Sequence, residues 1–204
     1  MITIINYGLG NIKAFVNIYK NLNIPYKLAS NASDLKDAKK IILPGVGAFD
    51  YTMERLRKSG MKETLHELVL KHHVPVLGIC VGMQMLARSS EEGILAGLDW
   101  IEGDVKKFND LILMKGNFLP HMGWNQVRVT RNNELFQNID QESRFYFLHS
   151  YYFECNNNNN IIAVTDYGDQ FASAVNLENI YGVQFHPEKS HSAGIQLLKN
   201  FADL

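Results

Sequence analysis

Apolar positions along this chain fall into two kinds of block. Residues 2–7, 40–43 and 74–79 are short runs rich in Ile, Leu and Val, the pattern of strands buried on both faces. Between them the period changes. Ile12, Phe15, Val16 and Tyr19 recur at i, i+3, i+4 and i+7, which sets one apolar stripe on a helix ending near Asn21. Residues 26–29 read as a second strand, Ser33-Asp34 as a helix start, and 50–57 and 61–71 as helices. Strand alternating with helix predicts a parallel sheet with helices on both faces.

After Gly103 the texture becomes strand-like, with segments at 105–108, 125–130, 145–154, 161–166 and 171–177 that predict an antiparallel extension of the sheet. The five asparagines 156–160 have nothing apolar to bury and read as a solvated turn. A strand at 180–187 and a helix from about Ser192, with Ile195, Leu198 and Ala202 toward the core, close the pattern. No linker or repeat divides residues 1–204. The expectation is one three-layer α/β domain with a mostly parallel central sheet.

Composition narrows the function. The 204 residues are 46% hydrophobic, enough for one core without disulfide staples. Lys plus Arg number 20 against 21 Asp plus Glu, so no basic field exists for nucleic acid. No apolar run reaches membrane-spanning length and MITIINYGLG lacks a basic signal-peptide start, so a cytoplasmic chain is expected. The two cysteines form no C-x-x-C pair and no two histidines share i, i+4 spacing, so neither a metal nor a cofactor is expected.

The chemistry concentrates in three motifs. Gly78-Ile79-Cys80-Val81-Gly82 puts a thiol between glycines, after an apolar strand and before a helix carrying Met83, Met85 and Leu86. That is a nucleophile elbow built on sulfur, where small neighbours permit a strained turn and a helix N-terminus favours thiolate. A merely structural buried cysteine has no use for glycines on both sides. His186-Pro187-Glu188 supplies a base and an orienting carboxylate; in an extended segment i and i+2 point to one side. Pro44-Gly45-Val46-Gly47 ends an earlier strand, where a peptide N–H can turn toward the site and join that of Val81 as an oxyanion hole. Cys155 has no such surroundings and is expected to be inert.

Together P-G-V-G, G-I-C-V-G-M-Q and F-H-P-E-K-S resemble, in order and spacing, the class I glutamine amidotransferases. Asn6-Tyr7-Gly8-Leu9-Gly10-Asn11, Leu119-Pro120-His121-Met122-Gly123-Trp124-Asn125 and Phe147-Leu148-His149-Ser150-Tyr151 are similar, more narrowly, to the glutaminase subunits of imidazole glycerol phosphate synthases. The resemblance implies that Cys80 attacks the glutamine side chain, His186 shuttles the proton and Glu188 orients His186. It further implies that Val46 and Val81 form the oxyanion hole, and that Gly47, Gln84, His149, Ser150 and Tyr151 contact glutamine. No cofactor is implied.

The implied partner is a (β/α)8 barrel cyclase that uses the channelled ammonia to make imidazole glycerol phosphate and AICAR in histidine biosynthesis. Asn11, Met122, Trp124 and Lys189 fall on family positions at that interface. Residues 89–93, 97–101 and 188–192 are also similar to a related group that feeds amidine formation in surface-polysaccharide sugar synthesis. A free-standing cysteine hydrolase is a further alternative. Its usual order, with the acid between nucleophile and histidine, is not the order here.

Overall fold

The computed structural model describes residues 1–109 and 116–204. Strands β1 (Ile2–Ile5), β2 (Tyr26–Ala29), β3 (Ile41–Gly45) and β4 (Val76–Cys80) lie parallel in the order β2-β1-β3-β4. Every residue of β1, β3 and β4 is buried. Since neighbouring side chains on a strand point to opposite faces, this burial means cover on both faces, as the unbroken apolar runs require. Helix α1 (Ile12–Asn21) turns Phe15 and Tyr19 inward, α2 (Phe49–Lys58) turns Met53 and Leu56, and α3 (Lys62–Leu70) turns Leu65 and Val69.

The short α4 (Val81–Gln84) follows β4 directly, and the two-residue β5 (Ser89–Ser90) comes next. The antiparallel extension consists of β6 (Gly103–Lys107), β8 (Arg128–Val129), β10 (Tyr151–Cys155), β11 (Ile161–Tyr167) and β12 (Asp169–Leu177). β13 (Ile180–Val183) joins the halves, parallel to β4 on one side and antiparallel to β12 on the other. A separate two-stranded sheet pairs β7 (His121–Gln126) with β9 (Arg144–His149), and α5 (His191–Asp203) closes the chain.

Two segments expected as single strands each divide between the two sheets. The 145–154 segment breaks at Ser150 into β9 and β10, and the 125–130 segment begins earlier, at His121, and breaks at Val127 into β7 and β8. Apolar periodicity reports which face is buried and not which partner strand supplies the hydrogen bonds. Ser33-Asp34 belongs to one 3-10 turn (Ala32–Leu35), capped by Asn31 Oδ1 on the Ser33 and Asp34 N–H groups. Tract residues 156–159 are exposed, as a solvated turn requires, while Asn160 is buried. On α5, Leu198 is buried and Ala202 half-buried, but Ile195 is 40% exposed; Leu197 and Phe201 take the core positions.

The small sheet is fixed to the large one through aromatic rings. Phe147 of β9 packs edge-on to Phe185 at 5.7 Å and Phe171 of β12 at 5.9 Å, and Phe145 lies 4.2 Å from Phe185. Among the described residues no helix is long and apolar enough to cross a membrane. Phe147→Ala is expected to lower unfolding free energy by about 3–5 kcal/mol, because Phe147 is fully buried and packs against both Phe171 and Phe185. Urea denaturation followed by tyrosine and tryptophan fluorescence checks this.

Candidate active site

The elbow rests on backbone packed against backbone. A Cβ on Gly78 would lie 2.8 Å from the Gly82 carbonyl carbon, one on Gly82 would strike the Leu43 carbonyl, and one on Gly45 would strike the Gly82 N–H. Only glycine lets the ends of β3 and β4 and the first turn of α4 come this close. Cys80 in their midst adopts φ 56°, ψ −115°, a left-handed conformation a non-glycine residue rarely holds, and its side chain faces a cavity of about 330 Å³. The helix behind it is four residues long, shorter than the Met83 to Leu86 stripe suggested.

His186 lies just beyond β13. Its N–H donates to the Tyr146 carbonyl at 2.8 Å, and its own carbonyl accepts from Ser190 Oγ at 2.6 Å, while that oxygen accepts from Tyr146 N–H at 3.0 Å. These bonds fix the turn to β9. Glu188 reaches His186 by a different route from the extended one expected: residues 187–189 form a 3-10 turn after Pro187, which swings the carboxylate back under the ring. Glu188 Oε1 stands 2.9 Å from His186 Nδ1, with the side chains 2% and 4% exposed. Glu188 Oε2 has no partner among the described residues, so the carboxylate serves the imidazole alone.

Burial alone would push the His186 imidazole toward its neutral form. The negative charge of Cys80 and its hydrogen bond to His186, with those of Glu188, outweigh burial and raise the ring to about 10. The imidazole is therefore held in its protonated form near neutral pH, beside the thiol and over the carboxylate. Tyr7, which donates to the Pro44 carbonyl, is pushed up by burial and next by the charge of Cys80.

Around the thiol the cavity gathers Val46, Gly47, Val81, Gln84, His149, Ser150, Tyr151 and Lys189, all singled out in the sequence. Gly47 takes φ +90°, and Thr52 Oγ1 donates to the carbonyls of Val46 at 3.3 Å and Ala48 at 2.9 Å, which anchors this loop to α2. Asn11, Met122 and Trp124 lie outside the lining. Met122 and Trp124 share the outer face of the small sheet with Leu148 and Tyr146, their cross-strand partners, and are 64% and 43% exposed. Trp124 stacks on His191 at 4.9 Å, and Lys189 Nζ stands 5.4 Å from the Tyr146 ring centroid. Asn11 is exposed before α1, beside Gly10, where a Cβ would meet Pro44.

Three functional candidates escaped the sequence. Gln184, fully buried, accepts from Gln84 Nε2 at 3.0 Å and directs its own amide at Cys80 Sγ, 3.9 Å away. Its position two before His186 on an extended segment was the available signal. Glu92 lines the cavity half-buried, accepts from Phe49 N–H at 2.8 Å, and is raised by burial and then by the charge of Asp50 against that bond. In the sequence nothing sets it apart from its neighbour Glu91. Leu148, 38% exposed, lines the same cavity and turns its carbonyl toward Cys80 Sγ at 3.9 Å. Cys155, by contrast, is raised to about 12 by burial and has no part in the site. Among the described residues no group of three His, Cys, Asp or Glu side chains could hold a metal ion.

A strained cysteine at a strand-to-helix turn, facing a histidine held by a buried glutamate, on a parallel sheet with an antiparallel extension, defines a class of enzyme. The chain belongs to the class I glutamine amidotransferases, whose family pattern matches residues 3–204. It is 55% identical over 204 residues to the imidazole glycerol phosphate synthase subunit HisH of Bdellovibrio bacteriovorus and 52% over 207 residues to that of Leptospira interrogans, each pair covered over 100% of both chains. Its fold is similar to a crystal structure of a glutamine amidotransferase (TM-score 0.74, 17% identity, 100% and 99% of the chains covered) and to PurLQS from Thermotoga maritima (TM-score 0.74, 15% identity, 99% and 97%).

Replacing Cys80 with alanine removes its charge and hydrogen bond and leaves the burial of His186 in place. The His186 midpoint, followed by NMR of the imidazole, is expected to fall by at least about one pH unit. An unchanged midpoint would mean that Glu188 alone sets it.

Proposed function

We propose that this chain, as a single domain over residues 1–204, is the glutaminase subunit of an imidazole glycerol phosphate synthase, working in the cytoplasm on glutamine. The observation that carries this reading is the buried Cys80–His186–Glu188 alignment on a small-molecule cavity; full-length identity above half to subunits of that name supports the pathway.

The Cys80 thiolate attacks the side-chain carboxamide carbon of glutamine, and the N–H groups of Val81 and Val46 take the developing oxyanion. His186 gives its proton to the nitrogen as the C–N bond breaks, leaving ammonia and a thioester. It then accepts a proton from the water that attacks the thioester, and glutamate departs as the thiolate re-forms. Glu188 holds the His186 ring at Nδ1 through both steps. Gly47, Gln84 and the backbone of His149, Ser150 and Tyr151 hold the rest of the substrate. Glu92 presents a carboxylate to its ammonium group.

Ammonia in water is protonated near neutral pH and lost as a nucleophile, so it must pass directly to the subunit that consumes it. A (β/α)8 barrel cyclase fits as that partner, making imidazole glycerol phosphate and AICAR. Asn11, Met122, Trp124 and Lys189 form the contact, and Lys189, at the cavity rim beside Tyr146, meets a carboxylate on the barrel.

Glutamate release is expected to be slow with the chain alone, to rise at least about tenfold with the barrel subunit and its nucleotide, and to vanish in Cys80→Ala. Full turnover by the isolated chain would refute this dependence on the partner. Lys189→Ala should keep glutamine hydrolysis while imidazole glycerol phosphate formation falls behind it. Growth of a histidine auxotroph carrying this chain and its barrel subunit checks the pathway; failure would point to the sugar-amidine alternative.

A further inference from the structure

Behind the cavity wall, polar side chains occupy a space otherwise filled by Phe147, Phe171 and Tyr167. His121 Nδ1 lies 2.9 Å from His149 Nε2, and His149 Nδ1 lies 2.8 Å from the Tyr151 carbonyl. Asn125 Nδ2 lies 3.2 Å from His121 Nε2 and also donates to the Asp166 carbonyl at 3.0 Å. The Asn125 amide is oriented in turn, because its Oδ1 accepts from Gln126 N–H at 2.8 Å. On the cavity side, Gln84 Nε2 donates to the same Tyr151 carbonyl and to Gln184 Oε1, both at 3.0 Å.

One proton arrangement satisfies all of these contacts. A carbonyl only accepts, so His149 must carry its proton on Nδ1. Burial, followed by the nearby charge of His121, lowers His149 to about 3, and burial lowers His121 to about 4, so both rings are neutral near pH 7. His149 Nε2 is then a bare acceptor and His121 must donate from Nδ1, leaving its own Nε2 to accept from Asn125. Both lone pairs of the Tyr151 carbonyl are taken, one by His149 and one by Gln84. Both Gln84 Nε2 protons are spent as well, so Gln84 has only its Oε1 acceptor to offer the cavity.

We propose that His121 and His149 are positioning residues for the glutamine site: as a one-way relay of Nδ1–H tautomers they aim the Tyr151 carbonyl, and through it the Gln84 amide, so that Gln84 meets substrate as an acceptor. The proposal rests on the glutaminase reading above. His121 also stacks on Tyr167 at 3.9 Å and Phe147 at 4.7 Å, so a packing role is the competing account, and the two accounts rank substitutions in opposite orders. Phenylalanine keeps the ring and loses the donor. Asparagine loses the ring and keeps a donor where Nδ1 stood.

The test uses the chain in complex with its barrel partner. With His121→Phe the KM for glutamine is expected to rise at least about fivefold with kcat within about twofold, since the relay acts on groups that hold the unreacting part of the substrate. His121→Asn is expected to return KM to within about twofold of the unsubstituted chain. An Asn variant worse than the Phe variant, or no KM change in either, overturns the proposal. Long-range nitrogen–proton NMR of the inactive Cys80→Ala chain supplies a readout independent of turnover: both rings should be neutral Nδ1–H tautomers at pH 7, and an Nε2–H form of either overturns the relay. If the unsubstituted complex hydrolyses no glutamine, the functional reading fails, and the tautomers still decide whether the relay exists.

Discussion

Holding a non-glycine residue in a sparsely populated backbone region costs of order 1–3 kcal/mol, and Cys80 stays at φ 56° because its surroundings leave no other path. Gly45, Gly78 and Gly82 bring three stretches of main chain into contact around it, and the contact closes only if β3 and β4 keep their register, Gly45 opposite Cys80. That register is held by strands buried on both faces. The apolar runs of the parallel half thus do more than fill a core: they hold the thiol in a turn that presents it to the cavity.

The rest of the site is brought to the thiol by β13, which runs parallel to β4 and antiparallel to β12. It ends beside Cys80 and continues through Gln184 and His186, so the amide aimed at the sulfur and the imidazole held by Glu188 come from one segment. The small β7–β9 sheet then clamps His186 through Tyr146 and Ser190. Its two faces divide the labour. His121, Asn125, Phe145, Phe147 and His149 lie toward the interior, while Met122, Trp124, Tyr146 and Leu148 form an outer face beside Lys189.

Much of this was legible because the signals are local. Unbroken apolar runs mark β1, β3 and β4, a stripe at helical spacing marks α1, and glycines flanking a cysteine mark a strained turn. The breaks at Val127 and Ser150 were not legible, since both halves of each segment have strand-like composition and only the tertiary partner separates them. Glu188 was paired with His186 correctly, but by an extended-chain argument that the turn after Pro187 replaces. Ile195 fails for the usual reason that a helix has room for few core positions, and Leu197 and Phe201 hold them. Gln184 looks like an ordinary polar residue until burial gives each of its atoms a fixed neighbour, and the link from His121 to His149 is visible only once both strands of the small sheet are paired.

The break at Ser150 carries one more consequence. His149 ends a strand of the small sheet, Tyr151 begins a strand of the large one, and the cavity wall is the crease between them. A molecule filling the cavity touches both sides of that crease together with Cys80 and Gly47, so it acts as a rivet between two sheets already tied by the Asn125–Asp166 and His149–Tyr151 hydrogen bonds. Occupancy then stabilises the small sheet by mass action, and its outer face becomes firmer when the cavity is filled than when it is empty.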